Sequence, residues 1–291
     1  MVLRQLEYLS ALARERHFGR AAAACHVTQP ALSVAIRKLE GELGIELVRR
    51  GRRYDDLTPQ GRELLQWARQ TLASADGLLS EAARLSGDLG GRLRLGVIPT
   101  ALPVVAEITA PLLLDHPSLD LEIRSFSSQE IAAQLESFAI DAGITYLDNE
   151  PLGPLVGVPL YTERYVYLTA EQRPEEELGW AALDGAALCL LTPEMQNRRI
   201  VEEALRRRGV RARARIESNS ITALLSFARA GWSSVVSETW LNLYGTPEGM
   251  RAIPLVEPEV GHMIGIVRRD TELQPPAVSA LLERAGTVAV S

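Results

Sequence analysis

Residues 17–38 read HFGRAAAACHVTQPALSVAIRK, an alanine-rich helical run that stops at Thr28-Gln29-Pro30 and gives way at once to a second helical pattern. Thr28 is a good N-cap, and Pro30 fits a first helical turn because its missing N–H would have had no partner there. The spacing therefore predicts a helix from Gln29 to about Leu43, ended by Gly44. Leu32, Ile36, Leu39 and Leu43 fall on one face of it, and Gln29, Ser33, Arg37 and Lys38 largely on the other. Upstream, Leu3, Leu6, Leu9, Leu12 and Ala13 mark one face of a first helix ending near Arg16. A second helix, roughly Gly19 to His26, carries small residues at 21–24 that admit close helix packing. Two short helices and a tight turn form a helix-turn-helix, whose second helix offers its polar N-terminal side chains to base edges in the major groove. Gln29 suits adenine, Arg37 suits guanine or phosphate, and Ser33 is short enough for close approach. The competing reading is a three-helix packing unit with a solvated polar face.

The next residues favour the first reading. Ile45–Val48 and Tyr54–Leu57 are short strand patterns around a turn bearing Arg49, Arg50, Arg52 and Arg53. A basic hairpin directly after a recognition helix is a wing, placed to neutralise phosphates. Thr58-Pro59 repeats the helix-start signal, and the helix that follows is predicted to reach about Leu85. Along it Leu65, Ala68, Leu72, Ala75, Leu79, Ala82 and Ser86 take alternating steps of three and four, the spacing of a coiled-coil seam. This predicts pairing with a second copy of the chain, against the alternative of burial on the chain's own next domain. A dimer would present two basic modules to two half-sites.

From residue 92 onward strand and helix patterns alternate: strands at 92–98, 119–125, 140–146, 164–170, 187–192, 213–218, 233–237 and 262–269, with helices at 103–114, 130–138, 195–208, 221–230 and 276–285. Alternation of this kind predicts parallel sheets covered by helices. The expected organisation is a DNA-binding module at 1–58, a linker helix and hinge at 59–91, and an α/β body at 92–291. The body divides into lobe I (92–162 and 268–291) and lobe II (163–267), with a cleft between them. Thr100, Ser127 with Ser128, Thr145, Thr192, and Ser218-Asn219-Ser220 lie at the carboxyl ends of strands, where open α/β sheets place ligand groups. Several stand at helix N-termini, which favour an anion such as a carboxylate.

Composition sets bounds on this reading. The 291 residues are 46% hydrophobic and 23% charged, ordinary values for a chain with sizeable cores. Residues 1–58 carry a net charge of +3 within a chain of −6, leaving −9 for the rest; a basic module joined to an acidic body suggests a polyanionic partner for the first part alone. No apolar run is long enough to span a membrane, and Arg4, Glu7, Arg14, Glu15 and Arg16 interrupt the start where a secretory segment would be apolar, so no membrane association is expected and a cytoplasmic location is. Cys25 and Cys189 are far apart and lack metal-ligand spacing, so neither a metal site nor a disulfide framework is expected. The four histidines are scattered, and no nucleophile elbow, phosphate loop, zinc-protease or dinucleotide motif is present. No catalytic residue and no cofactor are therefore predicted.

The stretch AAAACHVTQPALSVAIRKLEGELGIELVRR, followed by LTPQG, resembles the signature of LysR-type transcriptional regulators. The two-lobed remainder is similar to their periplasmic-binding-protein-like α/β effector domain. The resemblance implies a winged helix-turn-helix, a long linker helix pairing antiparallel with its partner, and a homodimer or homotetramer on promoter or operator DNA. It also implies a small-molecule inducer held between the lobes. By matching positions, Thr28, Gln29, Pro30, Ser33, Arg37 and Lys38 would meet the major groove, Arg50 and Arg53 the flanking backbone, and Thr100, Ser127, Ser128, Thr145, Tyr146, Thr192 and Asn219 the effector. Four positions depart from the family pattern: His17 stands where a serine usually precedes the phenylalanine opening the second helix, Val48 follows Leu47 in place of phenylalanine, and Asp55-Asp56 put negative charge on a wing strand. The peroxide-sensing branch carries a closely spaced cysteine pair in its effector domain, whereas this chain has only Cys189 there.

Overall fold

The computed structural model describes residues 1–50, 54–171 and 173–286. The chain divides into two compact units, Met1–Gly87 and Asp88–Ser291. The first unit holds α1 (Leu3–Glu15), α2 (Phe18–Ala24), α3 (Gln29–Leu43), the antiparallel strands β1 (Val48–Arg50) and β2 (Tyr54–Leu57), and α4 (Pro59–Leu85). Local signals set the bounds of α3. The Thr28 hydroxyl accepts the Ala31 N–H, and Gly44 ends the helix at φ 70°, a left-handed conformation that glycine adopts without a Cβ penalty. Leu6, Leu9 and Leu12 of α1, Ala21 and Ala22 of α2, and Leu32, Ile36 and Leu39 of α3 share one buried cluster with Leu47, Val48 and Leu57 of the hairpin. At about 1.5–3 kcal/mol for each large aliphatic side chain buried, this cluster is the main stabiliser of the unit.

The junction between hairpin and α4 explains the LTPQG sequence. Leu57 is buried, the Thr58 hydroxyl donates to the Glu46 carbonyl at 2.7 Å and accepts the Gly61 N–H at 2.8 Å, and Pro59 occupies the first helical turn. Gly61 is there because a Cβ would lie 2.2 Å from the Leu47 carbonyl oxygen. The buried Glu40 carboxylate accepts the Leu47 and Val48 N–H groups at 2.9 and 3.1 Å, tying the end of α3 to the start of the wing.

Along α4 the seam splits in two. Leu65 and Ala68 are buried in the unit's own core, where α1 packs on α4, so this half of the seam is covered by the preceding helices, which neither reading expected. Farther along, Leu78, Leu79 and Leu85 are 71, 70 and 73% exposed.

The second unit begins with β3 (Gly91–Val97), a single 3-10 turn (Pro99–Ala101), α5 (Leu102–Asp115), β4 (Leu119–Ser125), α6 (Ser128–Glu136), β5 (Ala142–Tyr146), β6 (Leu155–Thr169) and β7 (Leu178–Gly179). It continues with β8 (Ala187–Leu191), α7 (Gln196–Arg207), β9 (Arg213–Ser218), α8 (Ile221–Arg229), β10 (Ser233–Ser237), α9 (Glu238–Tyr244), β11 (Arg251–Val256), β12 (Gly261–Arg269) and α10 (Pro276–Ala285). The strands follow the order β4-β3-β5-β12-β6-β10-β8-β9, with β11 also paired to β6. Strands β3, β4 and β5 run parallel, as do β8, β9 and β10. The sheets are nevertheless mixed, because β6 and β12 run antiparallel to their neighbours. Strand β6 is 15 residues long; residues 155–164 pair with β12, and the rest pairs with β10 and β11. One strand thus serves both lobes, whereas the sequence pattern marked only its second half. Strand β12 pairs with β5, Ile264 opposite Tyr146, so it belongs to the first lobe's sheet and not to lobe II, where residues up to 267 were expected. Its composition announces a strand but not a sheet, because partner choice is set by long-range register.

Candidate functional site

Two surfaces emerge. On α3, Leu32, Ile36, Leu39 and Glu40 are buried, while Thr28, Gln29, Pro30, Arg37 and Lys38 are exposed and Ser33 is half-buried. The structure adds Ala31 and Val34 to this face; Val34 is 61% exposed. An apolar side chain in that position suits a thymine methyl in the major groove. Sequence spacing passed over Val34 because an aliphatic residue in a helix is read as core. His17 performs the capping role in place of serine: its Nδ1 accepts the Gly19 and Arg20 N–H groups at 3.0 and 3.2 Å, which places the ring proton on Nε2. On the wing, Arg49 is exposed; the side chain of Arg50 and all of Arg53 lie outside the described residues. Asp56 is engaged locally, since its carboxylate accepts the Leu57 N–H and pairs with Arg62. These two partners, the N–H first, hold its pKa below the usual carboxylate value.

The second surface lies where β3, β4 and β5 end. An open hollow of about 90 Å³ is edged by Ser128, Thr145, Tyr146, Glu150 and Gln196, and a smaller one of about 10 Å³, the space of a single water, by Thr100, Ser127, Ser128, Tyr146, Gln196 and Asn197. The two share Ser128, Tyr146 and Gln196. Five expected residues therefore come together, Thr100, Ser127, Ser128, Thr145 and Tyr146. The hydroxyls of Thr100, Ser128 and Thr145 are buried without a hydrogen-bond partner. Ser127 differs, being the N-cap of α6 in a reciprocal box with Glu130. Facing them is the first turn of α7, which has no side-chain cap, so its N–H groups and partial positive charge are turned to the hollow. No arginine or lysine is among the described residues lining either hollow. At the rim, Arg199 of α7 forms a two-pronged ion pair with Glu150 at 2.6 and 2.8 Å, and Gln196 donates to the Asp148 carbonyl at 3.2 Å, so the second lobe is pinned to the loop after β5.

Two expected residues are not brought in. The Thr192 hydroxyl donates to Glu194 at 2.6 Å, and Asn219 is exposed in the turn after β9, the edge strand of its sheet. Thr192 directly follows Leu191, which does line the smaller hollow, but its own hydroxyl is engaged by Glu194. Gln196 and Asn197 were missed because they open a helix of otherwise amphipathic pattern; two adjacent amides in an uncapped first turn were the available signal.

Residues 3–62 match the model of the bacterial regulatory helix-turn-helix proteins of the lysR family, and residues 86–289 match the LysR substrate binding domain. The chain belongs to the LysR family of transcriptional regulators. Its relatives include the hydrogen peroxide-inducible genes activator of Haemophilus influenzae, 31% identical over 275 residues that cover 92% of this chain and 91% of that protein. The DNA-binding transcriptional dual regulator OxyR of Escherichia coli is 32% identical over 278 residues, 92 and 90% of the two chains. Among solved structures, a full-length cysteine-substituted OxyR from Pseudomonas aeruginosa superposes with a TM-score of 0.75 at 27% identity, covering 98% of this chain and 97% of that one. Full-length CbnR bound to its target DNA, at 23% identity and a TM-score of 0.67, shares the fold.

In this LysR-family regulator the two cysteines lie in different units. Cys189 is fully buried in β8 among Leu191, Met195, Ile221 and Leu224, and burial pushes its thiol pKa up. Cys25 caps the end of α2, and burial is likewise the main cause of its raised pKa. Neither lines a hollow. No helix among the described residues is long and apolar enough to cross a membrane.

Proposed function

We propose that this regulator binds promoter DNA as a homodimer or tetramer and that its binding is modulated by a small anion, a carboxylate in the simplest case, held between Thr100, Ser128, Thr145 and Tyr146 on one side and the first turn of α7 on the other. The observation that supports this most is the set of three unpartnered hydroxyls around hollows that an uncapped helix start also borders. Each such buried group costs about 1–3 kcal/mol unless water or a ligand satisfies it, and the helix terminus supplies positive potential where no basic side chain does. In α3, Gln29, Val34 and Arg37 read bases, with Lys38 and Arg49 on phosphates. The exposed leucines of α4 form the pairing surface for a second copy. The relatives' names carry hydrogen peroxide, but a disulfide switch within the second unit needs a second sulfur within reach, and Cys189, itself fully buried, is the one cysteine of residues 88–291. The effector therefore acts by binding, through its different affinity for two lobe arrangements.

Thermal-shift measurements on the full chain with a set of small carboxylates, and in parallel with hydrogen peroxide, test the assignment. A carboxylate that raises the melting temperature of the wild type but not of Thr100→Val supports it. A shift given only by peroxide, or one that survives in Thr100→Val, refutes it.

A further inference from the structure

Behind the cleft lies a carboxyl group with no role in the reading above. Glu163 is fully buried on the part of β6 that passes from one sheet to the other: it stands opposite His262 of β12, and two residues on, Tyr165 stands opposite Ser237 of β10. Its neighbours come from both lobes. The Tyr146 hydroxyl of β5 donates to Oε1 at 2.5 Å, and the Asn197 amide of α7 lies 3.4 Å from the same oxygen and 3.5 Å from the Tyr146 hydroxyl. Oε2 has no partner among the described residues, nor have the hydroxyls of Thr100, Ser237 and Tyr165, which stand close enough to favour the charged form. Tyr161 adds another buried, unpartnered hydroxyl, with Thr239 of α9 beside it. On the far side of Tyr146 the His262 ring lies edge-on at 6.3 Å, itself held by Asp148 at 3.0 Å. Among the described residues, no arginine or lysine is one of the largest influences on Glu163.

Burial of an acid without a cation strongly disfavours its ionised form. Thr100, Tyr146 and Asn197 line the smaller hollow, so an effector touching them is separated from Glu163 by one side chain. An anion there disfavours a second negative charge on Glu163, and the two equilibria must be linked.

We propose that Glu163 is the positioning residue that couples the two lobes to the effector: as a neutral acid it holds Tyr146 and Asn197 in place across the cleft, and a carboxylate binds with a proton retained on, or taken up from solvent by, Glu163. This rests on the reading of the cleft as an anion site. An ionised Glu163 would repel the ligand, so affinity for a carboxylate should fall by up to tenfold per pH unit above the Glu163 pKa.

Two measurements on the full-length protein decide it. Burial is the main cause of the raised Glu163 pKa, so the folded chain holds its proton more tightly than the unfolded one. Wild-type stability should therefore decline as pH rises from the ordinary glutamate value of about 4.3 through the folded value, then level off. In Glu163→Gln this decline should disappear. In Tyr146→Phe, which removes a hydroxyl that lowers the pKa yet keeps the ring, it should extend to higher pH. Parallel profiles for wild type and Glu163→Gln overturn the proposal. The second measurement titrates acetate, followed by NMR, at a series of pH values: wild-type affinity should fall with rising pH and Glu163→Gln affinity should stay level. Equal pH dependence in both proteins overturns the linkage. Should acetate bind neither protein at any pH, the carboxylate reading of the cleft fails and with it the linkage, while the stability profiles still decide whether Glu163 is the buried neutral acid.

Discussion

Replacing Gly61 with alanine would put a methyl carbon 2.2 Å from the Leu47 carbonyl oxygen, and 3.0 and 3.1 Å from the Leu47 carbonyl carbon and Cα. A carbon–oxygen contact settles at about 3.3 Å, so α4 and the entry to β1 must separate by roughly 1 Å. The obstructing atoms are backbone and cannot rotate away. Overpacking costs about 1–3 kcal/mol, and replacing a helical glycine returns about 0.5–1 kcal/mol, so the net loss should be about 1–2 kcal/mol. The shift also strains the bond from the Gly61 N–H to the Thr58 hydroxyl. At about 4–8 °C per kcal/mol for a domain of this size, the transition of the first unit should drop by roughly 5–15 °C in calorimetry of the full chain. Gly41, in α3, is the control: it is exposed and a Cβ there meets nothing within 4 Å. Gly41→Ala should stabilise by about 0.5–1 kcal/mol. If Gly61→Ala melts at or above wild type, the close approach of α4 to the wing is not what selects glycine.

Other expectations follow from the same geometry. Arg37→Ala should weaken binding to the specific operator by about 1–3 kcal/mol and leave random DNA nearly unaffected, measured by gel shift at one salt concentration; equal losses on both would make Arg37 a phosphate contact. His17→Ala should lose about 1 kcal/mol of stability with the cap of α2, and His17→Asn should restore most of it. An unchanged melting temperature in His17→Ala would deny the cap any energetic role. Asp56 has a depressed pKa, so the stability it contributes is present above about pH 4 and is lost as pH falls through its folded value. Asp56→Asn should accordingly flatten the acid side of the stability profile, and an unaltered profile would show its partners to be immaterial.

The parts of the fold that were legible in the sequence are those held by local signals. Thr28, Pro30 and Gly44 bound α3 to the residue, and Thr58-Pro59 starts α4 where expected, because caps and first-turn prolines act within four residues. The first half of β6 was not legible: Gly157 and Pro159 interrupt its strand character, and it is strand because β12 pairs along it. In the cleft, the rule of strand carboxyl ends gathered Thr100, Ser127, Ser128, Thr145 and Tyr146; it did not gather Thr192, whose hydroxyl turns to Glu194 although the preceding Leu191 lines the smaller hollow, or Asn219, exposed after the edge strand β9. Glu163 escaped notice as a lone acid in a run of aromatics. Yet residues 161, 163 and 165 share one face of an alternating strand, so an acid flanked at two-residue spacing by Tyr161 and Tyr165 could have been read as buried.

The measurement that bears most directly on the account is a nuclease footprint of the wild type and of Thr100→Val on the DNA upstream of the protein's own gene, with and without each of a set of small carboxylates. The Thr100 hydroxyl is buried without a hydrogen-bond partner and stands beside Glu163 and Tyr146, so its replacement by a methyl group should keep the fold at a small cost in stability. The account predicts a long protected region containing a dyad, whose extent or internal cleavage shifts with a carboxylate in the wild type and stays fixed in Thr100→Val. Absence of protection at moderate salt would contradict DNA reading by α3, and a carboxylate-dependent shift that persists in Thr100→Val would contradict the cleft as the site through which the effector acts.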